Sequence, residues 1–116
     1  MSDVKDLLTD TAREIRDLEA DAGKLAAVGD LQGHRQALRK KAELLTSLPS
    51  RLDGLVEKLP APERQRVREA VVSMAKRGKA ALDVDSPFFM RQLLYADDQT
   101  DHEPNELETL AAKLQA

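Results

Sequence analysis

The amino-acid sequence predicts an all-α protein, an elongated antiparallel bundle of three long helices followed by two short ones. Leucine, alanine and valine recur at steps of three and four along most of the chain, as on the buried side of helices. Glycine and proline punctuate these runs and mark where the helices should end. With one tyrosine, two phenylalanines and no tryptophan, the core is expected to consist of aliphatic stripes.

The composition is typical of a single folded, water-soluble domain. The chain has 116 residues, of which 41% are hydrophobic and 34% charged. It contains no cysteine, which excludes disulfides, thiolate metal sites and a cysteine nucleophile. No run approaches the roughly 20 apolar residues that span a bilayer, and no basic leader is evident. We therefore expect a cytoplasmic protein without membrane insertion.

The first helix is predicted over about residues 3–28, where apolar side chains follow a heptad pattern. Glycine suits the left-handed residue that ends a helix, and aspartate caps the next one, so Gly29 and Asp30 should form a tight turn. The stripe consists of Val4, Leu8, Thr11, Ile15, Leu18, Ala22 and Leu25.

The second helix is predicted over about residues 30–59, with either a kink near Pro49 or a split there with Ser47 as the new cap. His34 lies in its stripe and is expected to be half buried at a helix interface. The stripe consists of Leu31, His34, Leu38, Lys41, Leu45, Leu48, Leu52, Leu55 and Leu59.

The prolines at 60 and 62 separate this helix from a third, predicted over about residues 62–82. Its stripe consists of Val67, Ala70, Val71, Met74, Ala81 and Leu82, and Gly78 should weaken its last turns. Short helices follow over about residues 86–95, capped by Ser86, and 104–115. We divide the chain into a bundle domain, residues 1–96, and an acidic linker with a C-terminal amphipathic helix, residues 97–116.

Charge is unevenly distributed. Residues 1–30 carry a net −4, residues 31–82 a net +7 and residues 83–116 a net −6. We expect the basic middle and the acidic ends to neutralise one another when packed. Nucleic-acid binding is not expected, because no aromatic residue lies among the basic ones and the acidic ends repel phosphate.

No active site can be assembled from the sequence. Neither a nucleophile beside a positioned base nor a glycine-rich phosphate loop is present. The acidic stretch 97–103 is partly similar to a calcium loop, but His102 replaces the required glycine and Pro104 breaks the spacing. We therefore expect no enzyme activity, no catalytic or metal-binding residue and no cofactor.

The candidate binding residues lie near the C-terminus. Phe88, Phe89 and Met90 are consecutive and cannot all face one core, so at least one is left for a protein partner or a second subunit. The alternative is that this helix only closes the end of the bundle. The predicted partner-binding residues are Phe88, Phe89, Met90, Leu93, Leu94, Tyr95, Leu107, Leu110 and Leu114.

The last helix has three interpretations. It is a strut of the bundle, a detachable arm whose leucines compete with a partner for a groove, or a frayed terminus. Its acidic character favours docking on the basic middle of the chain.

Residues 25–48, LAAVGDLQGHRQALRKKAELLTSL, resemble the centre of bacterial flagellar export chaperones of the FlgN and FliT type. In that family a long helix ends in a Gly-Asp-like turn, and a leucine stripe with interspersed basic residues follows. The resemblance implies a cytoplasmic helical chaperone that holds a secreted flagellar subunit before type III export. The alternative function is a self-associating helical scaffold, for which a homodimer is possible.

Overall fold

The structure is a computed structural model that describes residues 3–95 and 104–114, and these ranges are helical without a β-strand. The helices are α1 Asp3–Ala27, α2 Leu31–Leu52, α3 Ala61–Val84, α4 Pro87–Gln92 and α5 Glu106–Lys113. A 3-10 turn, Val56–Lys58, lies between α2 and α3. The molecule measures 47 × 27 × 24 Å. The predicted all-α class is confirmed, and α1, α2 and α3 correspond to the three long helices.

Helix α1 buries most of its predicted stripe. The buried members are Val4, Leu8, Thr11, Ile15 and Ala22, while Leu18 and Leu25 are half buried. The hydroxyl of Thr11 donates to the Leu7 carbonyl oxygen at 2.8 Å, so this polar group is satisfied inside the core.

The α1–α2 turn forms at Gly29 and Asp30, as predicted. Gly29 has a φ of +82°, a conformation that glycine adopts without strain. The Asp30 carboxylate accepts a hydrogen bond from the Gly33 N–H at 2.9 Å and so caps α2. His34 is half buried, with its Nδ1 2.9 Å from the Ala22 carbonyl oxygen of α1.

Helix α2 ends at Leu52, so the predicted continuation to residue 59 is wrong. Gly54 has a φ of +86°, which interrupts the helical path. The chain continues through the 3-10 turn, and Val56 and Leu59 are still buried. The apolar pattern therefore persists beyond the helix because a turn keeps these side chains on the core side.

Pro49 lies inside α2, and the helix continues past it. The alternative in which the helix splits and restarts at Ser47 is wrong. The Ser47 hydroxyl donates to the Leu44 carbonyl oxygen at 2.9 Å instead of capping a new helix. The proline removes one intrahelical backbone donor, and the kink predicted at this position stays a prediction.

Helix α3 crosses α2 closely at Gly78, which is buried. A Cβ atom at this position would lie 3.0 Å from the Ala42 carbonyl oxygen and 3.2 Å from Thr46 Oγ1. The glycine therefore permits close approach of two backbones, a packing role that the sequence analysis did not identify. The helix continues through it to Val84, slightly beyond the predicted end at residue 82.

Helix α4 is shorter than predicted. It covers Pro87–Gln92 instead of residues 86–95, because the backbone turns at Leu94, which has a φ of +77°. This turn takes Tyr95 out of the helix. The final helix covers Glu106–Lys113 instead of residues 104–115.

One hydrophobic core unites these elements. Helix α2 packs between α1 and α3, α4 packs against α2 and α3, and α5 packs against α1. The buried leucines of α5 belong to the same cluster as those of α1 and α2. The acidic stretch 97–103 lies outside the described residues, and the division of the chain at residue 96 stays a prediction.

Ion pairs connect the three charge segments, as predicted. Among the described residues, five join the basic middle to an acidic end. These pairs are Arg35–Asp85, Arg39–Asp85, Lys41–Glu19, Lys58–Asp3 and Arg77–Glu106. The opposite charges of the segments therefore meet in the folded molecule.

Candidate functional site

Helix α4 carries the predicted aromatic segment. Ser86 caps the helix by accepting a hydrogen bond from the Phe89 N–H at 3.3 Å, and Pro87 occupies its first turn. Met90 is fully buried, and Leu93 and Leu94 are buried beyond it. One side of this short helix is thus anchored in the core.

Phe88 and Phe89 are exposed. Their exposed fractions are 65% and 56%, whereas the adjacent Met90 is 0% exposed. The two rings pack edge to face with centroids 5.6 Å apart, a favourable aromatic geometry. The expectation that three consecutive large residues cannot all enter one core is confirmed, since successive helical side chains point about 100° apart.

A groove runs between α3 and α4, with a volume of about 360 Å³. We call it the α3–α4 groove. Its lining residues are Arg77, Ala80, Ala81, Val84, Phe89, Gln92, Leu93 and Tyr95. Val84 is 62% exposed, so it forms with Phe89 a continuous apolar rim that faces solvent.

Two further exposed apolar residues lie at the same end of the bundle. Val28 and Leu31 flank the α1–α2 turn. This turn lies near the end of α3, because Asp85 binds both Arg35 and Arg39 of the first turns of α2. We name Val28, Leu31, Val84, Phe88 and Phe89 the apolar end. Among them, Val84 and Phe89 line the same groove, and exposed apolar side chains that lie together are typical of interaction surfaces.

The predicted binding residues of the last helix lie inside the protein. Leu107, Leu110 and Leu114 are buried against the bundle together with Ala111. Met90, Leu93 and Leu94 are buried as well, so six of the nine predicted residues are buried, and of these Leu93 lines the α3–α4 groove. Their partner-binding role stays a prediction.

Polar contacts hold α5 in place. The Arg16 guanidinium binds both carboxylate oxygens of Glu108, at 3.2 and 2.7 Å. Arg77 of α3 binds Glu106, and the Lys5 ammonium donates to the Leu114 carbonyl oxygen at 3.1 Å. The main neighbour of α5 is therefore α1, not the basic middle alone, which corrects the docking expected from charge.

The Arg16–Glu108 pair shifts the titration of both groups. The hydrogen bond from Arg16 holds the pKa of Glu108 below its usual value, and the bond to Glu108 raises the pKa of Arg16. Asn105 contributes from the helix terminus: its side chain accepts from the Glu108 N–H at 2.8 Å, and its own N–H donates to Glu108 at 2.9 Å. This capping box starts α5 and orients the carboxylate toward Arg16.

A buried charged residue lies at the centre of the molecule. The side chain of Lys41 is 0% exposed. Its ammonium group donates to Glu19 Oε2 at 2.9 Å and to the Arg91 carbonyl oxygen at 3.0 Å, and lies 5.2 Å from the Tyr95 ring centroid. These contacts join α1, α2, α4 and the turn at Tyr95.

Tyr95 completes this network from the other side. Its hydroxyl donates to Glu19 Oε1 at 2.9 Å and accepts from Arg16 at 2.9 Å. Burial raises the pKa of the Tyr95 hydroxyl above its usual value, and the nearby Glu19 carboxylate adds to the increase. The phenol therefore stays protonated and keeps donating to Glu19.

This network was not predicted from the sequence. A signal was available: Lys41 stands in an apolar stripe between Leu38 and Leu45, so its ammonium group had to find partners inside the core. The identities of those partners depend on how the helices pack. Lys41 lines none of the grooves described here, so we interpret the network as a structural element that positions Tyr95 and α5.

In residues 3–95 and 104–114, no group of three or more histidines or carboxylates could hold a metal ion. No helix in this part of the chain has the length and apolar character needed to cross a bilayer. The calcium-like stretch 97–103 lies outside these ranges.

Comparisons with protein-family models, curated proteins and solved structures found no match to this chain. The described part of the chain is a small helical bundle with an exposed phenylalanine pair beside an apolar groove.

Proposed function

We propose that this chain is a protein-binding module that acts as a chaperone or adaptor. The observation that carries this proposal is the exposure of Phe88 and Phe89 on a helix whose opposite side is anchored by Met90. Exposing two aromatic rings to water is unfavourable by about 25 cal/mol per Å² of apolar surface. A partner that covers them recovers this free energy, and aromatic residues are enriched at the centres of protein interfaces.

The narrower proposal is a cytoplasmic chaperone for flagellar or other type III export, holding a secreted structural subunit. It is supported by the resemblance of residues 25–48 to FlgN and FliT type chaperones. The α1–α2 hairpin, with its turn at Gly29 and Asp30, is compatible with this resemblance. The proposed activity is binding alone, without catalysis, a cofactor or nucleic acid.

The test is affinity capture from a lysate of flagellated bacteria, followed by mass spectrometry. The tagged chain is compared with the double variant Phe88→Ser/Phe89→Ser. Val72→Ser is the matched control, because Val72 is an exposed apolar residue of α3 that does not line the α3–α4 groove. We expect a flagellar filament or hook-associated subunit with the native chain and Val72→Ser, and its loss with the double variant.

Two results would count against these proposals. Capture that does not depend on Phe88 and Phe89 contradicts a binding role for this surface. If other proteins are captured and their capture requires Phe88 and Phe89, the proposal of a binding module stands, but the proposal of a flagellar export chaperone is contradicted.

A self-associating scaffold is the second candidate, supported by the exposure of Val28 and Leu31 in addition to Phe88 and Phe89. A second copy would cover the apolar end in that case. Sedimentation velocity at several concentrations distinguishes the candidates. A dimer that the double variant converts to a monomer favours the scaffold, and a monomer throughout contradicts it.

A further inference from the structure

Two grooves lie along one side of α3. Arg66, Ala70 and Met74 line a groove together with residues of α5. Arg77 lines this groove and also the α3–α4 groove, which continues along Ala80 and Val84. Arg77 therefore lies where the groove beside α5 meets the α3–α4 groove.

Helix α5 shows what kind of helix lies beside the first of these grooves. It is amphipathic, with Leu107 and Leu110 turned into the core. Its first residue, Glu106, binds Arg77, and the next acidic residue, Glu108, binds Arg16. An acidic amphipathic helix thus already lies beside the first groove.

The α3–α4 groove has features that suit a helix of the same kind. Its lining is apolar apart from Arg77, Gln92 and the Tyr95 side chain, and no carboxylate lines it among the described residues. Lys76 is exposed next to Arg77 and forms no ion pair with the described part of the chain. In a helix, residues four apart are neighbours, so Lys76 flanks Ala80 at the groove edge. Asp83 is the exposed acidic residue toward the other end.

We propose that the α3–α4 groove seats an amphipathic helix of a partner protein, with a carboxylate against Lys76 and a large apolar side chain between Ala80, Val84 and Phe89. This inference rests on the proposed function and specifies its partner. The partner helix lies in this groove, along the C-terminal part of α3. Its acidic side lies toward Lys76 and away from Asp83, where a second carboxylate would be repelled.

The size of the groove fits this occupant. A volume of about 360 Å³ lies at the lower end of the range for pockets that bind compact apolar groups. It accommodates the side chains on one face of a helix, which is the mode in which amphipathic helices bind apolar grooves.

The experiment uses the full chain and two synthetic helical peptides with identical leucine positions. One peptide carries glutamates at the remaining positions and the other carries lysines. Binding is measured by fluorescence anisotropy, and the site is mapped from backbone amide shifts in ¹H–¹⁵N spectra. We expect the glutamate peptide to bind and to shift the amides of Ala80, Val84 and Gln92, and binding to weaken with added salt.

Two variants test the contacts. Ala80→Glu places a charge on the apolar floor and should weaken binding of the glutamate peptide by about tenfold or more. Lys76→Glu should weaken it roughly fivefold. Lys40→Glu is the matched control, because Lys40 is exposed on α2 and lines a different groove, between α1 and α2. It should leave binding unchanged.

The proposal is overturned if the lysine peptide binds as tightly, if the shifts map to the α1–α2 groove, or if neither peptide binds at millimolar concentration. Failure of this proposal is distinguishable from failure of the proposed function. If capture of a protein requires Phe88 and Phe89 but not Lys76 and Ala80, the chain is still a protein-binding module, but its partner does not bind through an acidic helix in this groove.

Discussion

Lys41 is a charged residue within the apolar stripe of α2. It occupies a stripe position where leucine would be expected, and its charge is fully removed from solvent. Removing an ammonium group from water costs several kcal/mol unless charges and hydrogen bonds compensate. Glu19, the Arg91 carbonyl oxygen and the face of the Tyr95 ring supply this compensation.

Lys41→Met tests this interpretation at the residue scale. The substitution keeps an unbranched side chain, one atom shorter, but removes the ammonium group 2.9 Å from Glu19 and leaves Arg16, at 3.9 Å, as the cation near this carboxylate. We expect a loss of about 2–3 kcal/mol in the free energy of unfolding. The measurement is urea denaturation followed by circular dichroism. Lys40→Met, at the exposed neighbouring position, should change stability by less than about 0.5 kcal/mol.

The double variant Lys41→Met/Glu19→Gln measures the interaction energy between Lys41 and Glu19. Because it removes both charges, it should be destabilised less than the two single losses added together. Strict additivity would show that Lys41 and Glu19 do not interact energetically, and the network would lose its central contact.

At the scale of helices, the α2–α3 crossing depends on a missing side chain. Gly78 lies where a Cβ atom would press against the Ala42 carbonyl oxygen, which belongs to the backbone and cannot rotate away. Helix propensity alone favours alanine over glycine by about 1 kcal/mol. Packing therefore opposes intrinsic propensity at this position.

Gly78→Ala and Gly23→Ala compare the effect of an added Cβ atom at the helix crossing with its effect at an exposed helix position. A Cβ atom at Gly23, which is exposed within α1, meets no atom within 4 Å. Gly23→Ala should stabilise the protein by about 0.5–1 kcal/mol, whereas Gly78→Ala should be destabilising by about 1 kcal/mol because the helices must separate. Thermal and urea unfolding measure both, and equal stabilisation by the two substitutions would contradict the close crossing.

On the scale of the whole molecule, α5 joins the end of the chain to its beginning. Three of its leucine-stripe residues enter the common core, and Glu108 and Glu106 bind α1 and α3. The C-terminal helix is thus a structural part of the bundle in this conformation. Both the strut and the detachable arm considered from the sequence remain compatible with partner binding, but detachment would expose buried leucines.

The Glu108 contact predicts how stability responds to acid. Its pKa is lowered in the folded protein, so the folded state favours the ionised carboxylate. The resulting stabilisation is present above the usual pKa of glutamate and is lost as the pH falls through the lowered value. We expect Glu108→Gln to be less stable than the native chain at about pH 7, with a smaller loss of stability between about pH 6 and pH 3.

Urea unfolding at several pH values measures this effect. Asp10→Asn is the control, because the Asp10 carboxylate is exposed and lies 3.6 Å from Arg13 in a surface pair of low expected energy. Parallel pH profiles for the native chain and Glu108→Gln would contradict a stabilising contact between α5 and Arg16.

The sequence by itself determined the helical class, the turn at Gly29 and Asp30, the start of α3 at the prolines at 60 and 62, and the exposure of part of the aromatic segment. These features depend on local periodicity, backbone preference and the geometry of adjacent side chains. The end of α2 at Leu52 was harder to predict from the sequence, because Gly54 interrupts the helix while the apolar pattern continues to Leu59.

Only the tertiary structure decided which side chains meet. The partners of Lys41, the burial of Leu107 and Leu110, the close crossing at Gly78 and the α3–α4 groove all depend on contacts between residues distant in sequence. Periodicity shows which side of a helix is apolar, but several packings bury the same side. Shape and charge across the helix interfaces select among them, so the candidate binding surface became definable only once α3, α4 and α5 were placed together.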